Sequence, residues 1–248
     1  IDYVVTLFMF LGGVNLSLLY LFIFKLRPMQ LLRDTEFRTY ASVVGLFSLL
    51  IAVGLYCTTD MNVEESFRTS IFQVVSLQTT TGYATSNYVL WTPFLWLSLC
   101  ALMFFGACSG STSGAMKCAR ISILFKVMMN EFKRIVHPNA VIPVRMTGRI
   151  VPTNIQSAIL AYTVIYIFLL IVGLFVNMAF GIDFVNAFGL SVSSVGNVGP
   201  ALGSYGPMDS FALLPAAVKW FCAFQMLVGR LEFFAVLLLF TPMFWKRR

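Results

Sequence analysis

Apolar residues along this chain fall into runs of two lengths. The long runs occupy positions 4–24, 40–57, 155–180 and 213–244. Each approaches or exceeds the roughly 20 apolar residues that a helix needs to cross a bilayer. The short runs occupy 67–77, 93–105 and 184–190, helical by pattern but too short to cross. The runs at 67–77 and 184–190 each deliver the chain into a loop of Gly and hydroxyl residues. The run at 93–105 breaks at the Gly- and Ser-rich stretch 106–114, and helical character resumes at 115 and runs toward 129. These pieces form one long, interrupted helix. Irregular backbone at membrane depth survives only when buried in protein or lining a wet cavity. The predicted order is therefore span, short re-entrant helix, Gly loop, span, and it occurs twice.

Composition agrees with this pattern. The 248 residues are 59% apolar and 11% charged, with a mean hydropathy of +0.86. A soluble domain is nearer about 45–50% apolar and about 25% charged. The expected class is an all-α integral membrane protein. The net charge of +7 could signal nucleic acid, but its placement argues for lipid instead. Basic residues concentrate at 25–38, 120–149 and 246–248, whereas Asp60, Glu64, Glu65, Asp183 and Asp209 fall in the opposite loops. By the positive-inside rule the basic loops and the C-terminus are cytoplasmic. The five cysteines lie in or beside apolar segments with no C-x-x-C pair, which reads as buried free thiols.

The two loops carry the chemistry. A potassium-channel filter uses a Thr-Val-Gly-Tyr-Gly type loop whose carbonyls replace the ion's water shell. Glycine suits it because inward-pointing carbonyls demand backbone angles that a Cβ resists. Thr80-Thr81-Gly82-Tyr83-Ala84 follows this pattern closely, and Ser194-Val195-Gly196-Asn197-Val198 more loosely. Gly82 and Gly196 lie 114 positions apart, which sets an expected repeat length. Each re-entrant helix would aim its C-terminal carbonyls, and half a negative charge, at a cation. No acidic residue lies in either loop, which suits a monovalent ion better than calcium. Ordinary Gly/Thr turns are the plainer alternative.

At these residues the chain resembles the bacterial Trk/Ktr/HKT superfamily of potassium transporters, most closely its TrkH-type membrane subunits. The strings that carry the resemblance run from Phe8 to Asn15, Thr79 to Thr85, Gly110 to Lys117, His137-Pro138, Gly196 to Pro200, and Gly229 to Glu232. The resemblance implies potassium-channel-like repeats of span, pore helix, filter loop and span. Residues 1–38 then hold the last helix of a preceding repeat and a cytoplasmic linker. Residues 39–150 form a third pore repeat and 151–248 a fourth. Two filter quarters would come from N-terminal repeats or a second chain, and truncation is the favoured explanation. Gly82 and Gly196 would be the signature filter glycines. Thr80, Thr81 and Tyr83, with Ser194, Val195 and Asn197, would line potassium sites through their carbonyls. The break at 106–117 would be an intramembrane gating loop, with Gly106, Gly110 and Gly114 giving hinge freedom and Ser111 satisfying backbone groups or wetting the cavity. Implied partners are membrane lipid, a second copy in a homodimer, and a cytosolic nucleotide-binding regulatory ring of the TrkA type. The bacterial inner membrane is the implied location, and potassium is substrate rather than cofactor.

Two buried cations test this picture. Arg230 reads as mid-span, where a charge costs about 2.5–3.5 kcal/mol on insertion scales and demands a partner. Glu232, nearby carbonyls, or the gating loop could supply it. Lys117 closes the loop and either snorkels to the interface or tethers the closed form. The competing enzyme reading treats Gly110 to Gly114 as the serine loop of an intramembrane protease, which needs a base at membrane depth; His137 is expected outside the membrane. Sodium- or proton-coupled symport and a non-conducting half-protein also remain open.

Overall fold

In a computed structural model of the chain, residues 1–26, 28–140, 142–231, 233–241 and 245 are described. Helices α1 (Asp2–Gly12) and α2 (Leu16–Lys25) share the first apolar run. They meet at a bend of 111°, so this run is a broken span and not the single helix expected. The cause is local: Gly12-Gly13 loosens the backbone, and the Asn15 side chain accepts the Ser17 amide at 2.9 Å, capping a new helix. After α3 (Pro28–Arg33), the Asp34 carboxylate accepts the Phe37 amide at 2.9 Å and starts α4 (Thr35–Thr58). Helix α5 (Val63–Gln78) follows with Glu64 and Glu65 in its first turn, where acidic side chains suit the helix dipole. Helices α6 (Pro93–Phe104) and α7 (Cys118–Val136) flank the expected break. A hairpin of β1 (Arg145–Met146) and β2 (Arg149–Ile150) then leads to α8 (Thr153–Ala179). Asp183 caps α9 (Phe184–Gly196), and the chain finishes through α10 (Ala216–Arg230) and α11 (Phe233–Leu239). The last apolar run is thus two helices rather than one, and residues 242–244 of that run lie outside the described set.

The same order of elements occurs twice. A long helix (α4, α8) precedes a short one (α5, α9), then a loop, then a broken helix (α6 with α7, α10 with α11). Helices α4 and α8 are each long and apolar enough to cross a membrane. Their outward faces are apolar as well: Leu46, Leu49 and Val53 on α4, and Val164, Phe168 and Phe175 on α8, are all exposed. A helix facing water would place polar residues there, so these faces suit lipid. The core lies where the short helices meet the long ones. Residues 72–79 of α5 and its cap, and 189–196 of α9, are buried without interruption, and Tyr40, Tyr88, Tyr166 and Phe233 are fully enclosed. Between the loops that follow α5 and α9, the Tyr88 hydroxyl donates to the Ala201 carbonyl at 2.9 Å and joins the two halves.

Candidate functional site

Helix α5 ends at Gln78, and the chain turns through Thr80 at φ +54° and Gly82 at φ +79°. The amides of Thr80, Thr81 and Gly82 fold back onto the carbonyls of Leu77 and Ser76 at 3.2, 2.9 and 3.4 Å. With their donors used in this way, the carbonyls of Thr80, Thr81 and Gly82 accept no hydrogen bond among the described residues. The Tyr83 carbonyl differs from expectation, because the Ser76 hydroxyl donates to it at 2.6 Å.

The second loop has the same geometry at a later register. Helix α9 does not stop at Leu190 but runs on to Gly196. Ser194, Val195 and Gly196 are therefore its buried last turn, not loop. Asn197 then takes φ +57° and Gly199 φ +108°. The Asn197 and Val198 amides donate to the Ser194 and Ser193 carbonyls at 3.2 and 3.0 Å, and the Gly199 amide to the Ser193 hydroxyl at 3.1 Å. Thr80 thus matches Asn197, and Gly82 matches Gly199, each pair 117 positions apart. The expected equivalence of Gly82 with Gly196 is three residues off. The carbonyls of Asn197 and Val198 are free of hydrogen bonds among the described residues, like those of Thr80 and Thr81. The two loops also face each other closely: a Cβ on Gly82 would collide with the Val198 carbonyl oxygen.

Beneath them the 105–117 segment is closed on itself. Phe105 and Met116 form a parallel bridge, the Gly106 amide donates to Met116 at 2.8 Å, and the Cys118 amide donates to Ala107 at 3.0 Å. Gly106 is thereby fixed against Met116, and it is the tip beyond it that turns, with Gly110 at φ +77°. The Ser111 hydroxyl donates to the Cys108 carbonyl at 2.6 Å. The Lys117 ammonium folds back to the carbonyls of Ser111 and Ser113 at 3.3 and 2.5 Å, which ties it to the loop it closes. The segment is also bonded to the loop ends above it: Gly114 donates to the Thr80 hydroxyl at 2.7 Å and Ala115 to the Gly196 carbonyl at 3.0 Å. A Cβ on Gly114 would stand 2.5 Å from that same carbonyl, so glycine permits the close approach. Arg230 is at the last residue of α10, not mid-helix, and its Nη1 donates to the Thr112 carbonyl at 2.9 Å. Glu232, the other expected partner, lies outside the described residues. A cavity of about 310 Å³ adjoins the loop tip and is lined in part by Lys117, Arg120 and Arg230. His137 ends α7. The 19 residues of that helix, at about 1.5 Å per residue, set it about 28 Å from Cys118, the end of α7 that adjoins the serine-rich segment.

The family model described as TrkH, cation transport protein, matches residues 1–247. The chain belongs to the TrkH family of cation transport proteins. It is 35% identical over 250 residues to the Trk system potassium uptake protein TrkH of Salmonella typhimurium, covering 99% of this chain and 51% of the relative. It is also 35% identical to the Trk system potassium uptake protein TrkI of Halomonas elongata, over 98% of this chain and 49% of the relative. The crystal structure of the potassium transporter TrkH from Vibrio parahaemolyticus superposes with a TM-score of 0.92 at 30% identity, covering 99% of this chain and 53% of that one. The chain thus spans about half the length of the relatives it matches. TrkH proteins are transporters and not enzymes, which removes the protease alternative.

Three residues hold the loop in ways the hydropathy pattern did not signal: Gly13, Asn15 and Glu36. Asn15 donates to the Ser109 carbonyl at 2.6 Å, and the Cys108 amide donates to the Gly13 carbonyl at 3.0 Å, so the α1–α2 bend cradles the loop tip. Glu36 accepts the amides of Ser109 and Ala119 at 2.5 and 3.1 Å. An Asn inside an apolar run is a usable signal for a break. Glu36 had none, since an acidic residue in a first helical turn is ordinary.

Proposed function

We propose that this chain supplies two quarters of a potassium-conducting pore in a bacterial inner membrane. Its filter sites are the carbonyls of Thr80, Thr81 and Gly82 from one loop and of Asn197 and Val198 from the other. The segment 105–117 is the gate. The observation that carries this reading is the set of carbonyls without donors, two loops in one register, at the C-terminal ends of two buried short helices. Helix C-termini add negative partial charge there, so a monovalent cation is stabilised without a carboxylate. The relatives named as potassium uptake proteins support potassium as the ion.

The Gly114 and Ala115 bonds to the filter ends, and the Arg230 bond to Thr112, support the gating role. They hold the loop across the exit and put a guanidinium beside it, which raises the barrier to a cation. Conduction runs down the electrochemical gradient, aided by about 2.3 kcal/mol per 100 mV of membrane potential. The remaining filter quarters come from other repeats of a longer chain or from a second chain. The basic loops face the cytoplasm and meet lipid headgroups and a nucleotide-binding ring, and the whole protein is a dimer.

Rubidium flux into proteoliposomes of the full-length protein tests the gate. Arg230→Ala removes both the charge and the Thr112 bond and should raise flux several-fold. Unchanged or lower flux in a protein of normal gel-filtration profile contradicts the reading.

A further inference from the structure

The first turn of α4 holds two separate parts of the molecule. Asp34 and Thr35 hold the hairpin: the Thr147 hydroxyl donates to the Asp34 carboxylate at 3.0 Å, and the Thr147 amide donates to the Thr35 hydroxyl at 3.2 Å. The next residue, Glu36, holds the gating segment. A single carboxylate oxygen, Oε1, accepts both the Ser109 amide at the loop tip and the Ala119 amide in the first turn of α7. The tip of the intramembrane loop and the helix that follows it thus converge on one atom of a third element. Bonds to an ionised acceptor are about twice as strong as neutral ones. Glu36 is partly buried beside Cys108 and Cys118, which are themselves 1% exposed.

We propose that Glu36 is the latch of the gate: it ties the tip of the 105–117 loop to the start of α7, and its neighbours Asp34 and Thr35 couple that latch to the 145–150 hairpin. This rests on the gating reading of the loop and adds to it a point of attachment and a handle. Residues 34, 35 and 36 occupy one turn of helix, so a displacement of the hairpin that drags the start of α4 also moves the carboxylate. The hairpin is anchored elsewhere by the Lys126 ammonium on the Arg145 carbonyl at 2.8 Å. The hairpin is thus bonded to α7 as well as to the start of α4. Glu36 touches no ion; it is a positioning residue that acts through the loop.

Native cysteines report on the latch without further labels. Cys108 lies next to Ser109 and is buried, while Cys100 is buried inside α6 away from the loop. In the full-length protein carrying Cys57→Ser, which removes the exposed thiol of this chain, maleimide modification is followed by peptide mapping together with rubidium flux. Glu36→Ala frees two amides from a shared charged acceptor. It should raise Cys108 modification and flux by about tenfold while leaving Cys100 unreactive. Glu36→Gln, which keeps one acceptor oxygen, should fall between. Thr147→Ala should act in the same direction but add nothing in the Glu36→Ala background. Unchanged Cys108 reactivity in Glu36→Ala overturns the latch, as does a parallel rise at Cys100, which means general loosening. Additive Thr147 and Glu36 effects overturn the coupling to the hairpin. If Glu36→Ala exposes Cys108 but neither it nor Arg230→Ala changes flux, the latch stands and the loop is not a gate.

Discussion

In the proposed reading, single residues decide where the filter lies. Gly82 and Gly199 hold φ of +79° and +108°, in the range that L side chains resist, whereas Gly196 does not. An alanine forced into such a region costs on the order of 1–2 kcal/mol. Gly199→Ala should therefore lower the potassium-over-sodium flux ratio of the full-length protein severalfold. Gly196→Ala should leave that ratio intact. Its Cβ would instead meet the Met103 carbonyl at 3.1 Å and approach Ala115 at 3.8 Å, so it should alter gating. Equal effects of the two substitutions on selectivity would contradict the register assigned to the second loop. This register was not legible in the sequence. Ser194 to Asn197 reads as filter because it resembles a Thr-Val-Gly loop, yet nothing in Ser194-Val195-Gly196 stops a helix. Only the left-handed Asn197 ends it. In the first loop Thr79 to Tyr83 offers one glycine and no competing choice of register.

At the scale of elements, the apolar runs found α6 and α8 to within two residues, with readable starts at Pro93 and Pro152, whereas α4 and α5 begin five and four residues ahead of the runs at 40 and 67, because their polar first turns at Glu36 and Glu64 fall outside an apolar run. Helix α9 runs past the end expected at 190, and the first and last runs are each two helices. Hydropathy averages over a break of two or three residues, so Gly13 to Asn15 vanished inside an otherwise apolar stretch. Both breaks lie against the gating segment: Gly13 and Asn15 bond it from one side, and Arg230 at the end of α10 from another. Both breaks occur where the helices touch that irregular segment. That pattern needs three-dimensional contact and has no one-dimensional trace. The junction between halves makes a separate prediction. Tyr88→Phe removes the hydroxyl bond to Ala201 and leaves a carbonyl without its partner. It should lower stability by about 1 kcal/mol, measurable as a fall in the thermal unfolding midpoint in detergent with little change in flux per folded molecule.

For the whole molecule, the account makes one structure serve two tasks. The ends of α5 and α9 present carbonyls without donors on one side and fix the intramembrane segment on the other, through Thr80 and Gly196. Filter and gate therefore share their supports, and a change at one should be felt at the other. The chain spans about half the length of its relatives, and in the proposed reading the other filter loops come from outside it. The central claim is that these carbonyls select the ion. The direct measurement is the potassium-to-sodium flux ratio of the full-length protein in proteoliposomes, with and without Gly82→Ala. A Cβ at Gly82 would strike the Val198 carbonyl of the facing loop, so the ratio should collapse toward one while the variant remains folded. A ratio unchanged from the parent protein would contradict the account.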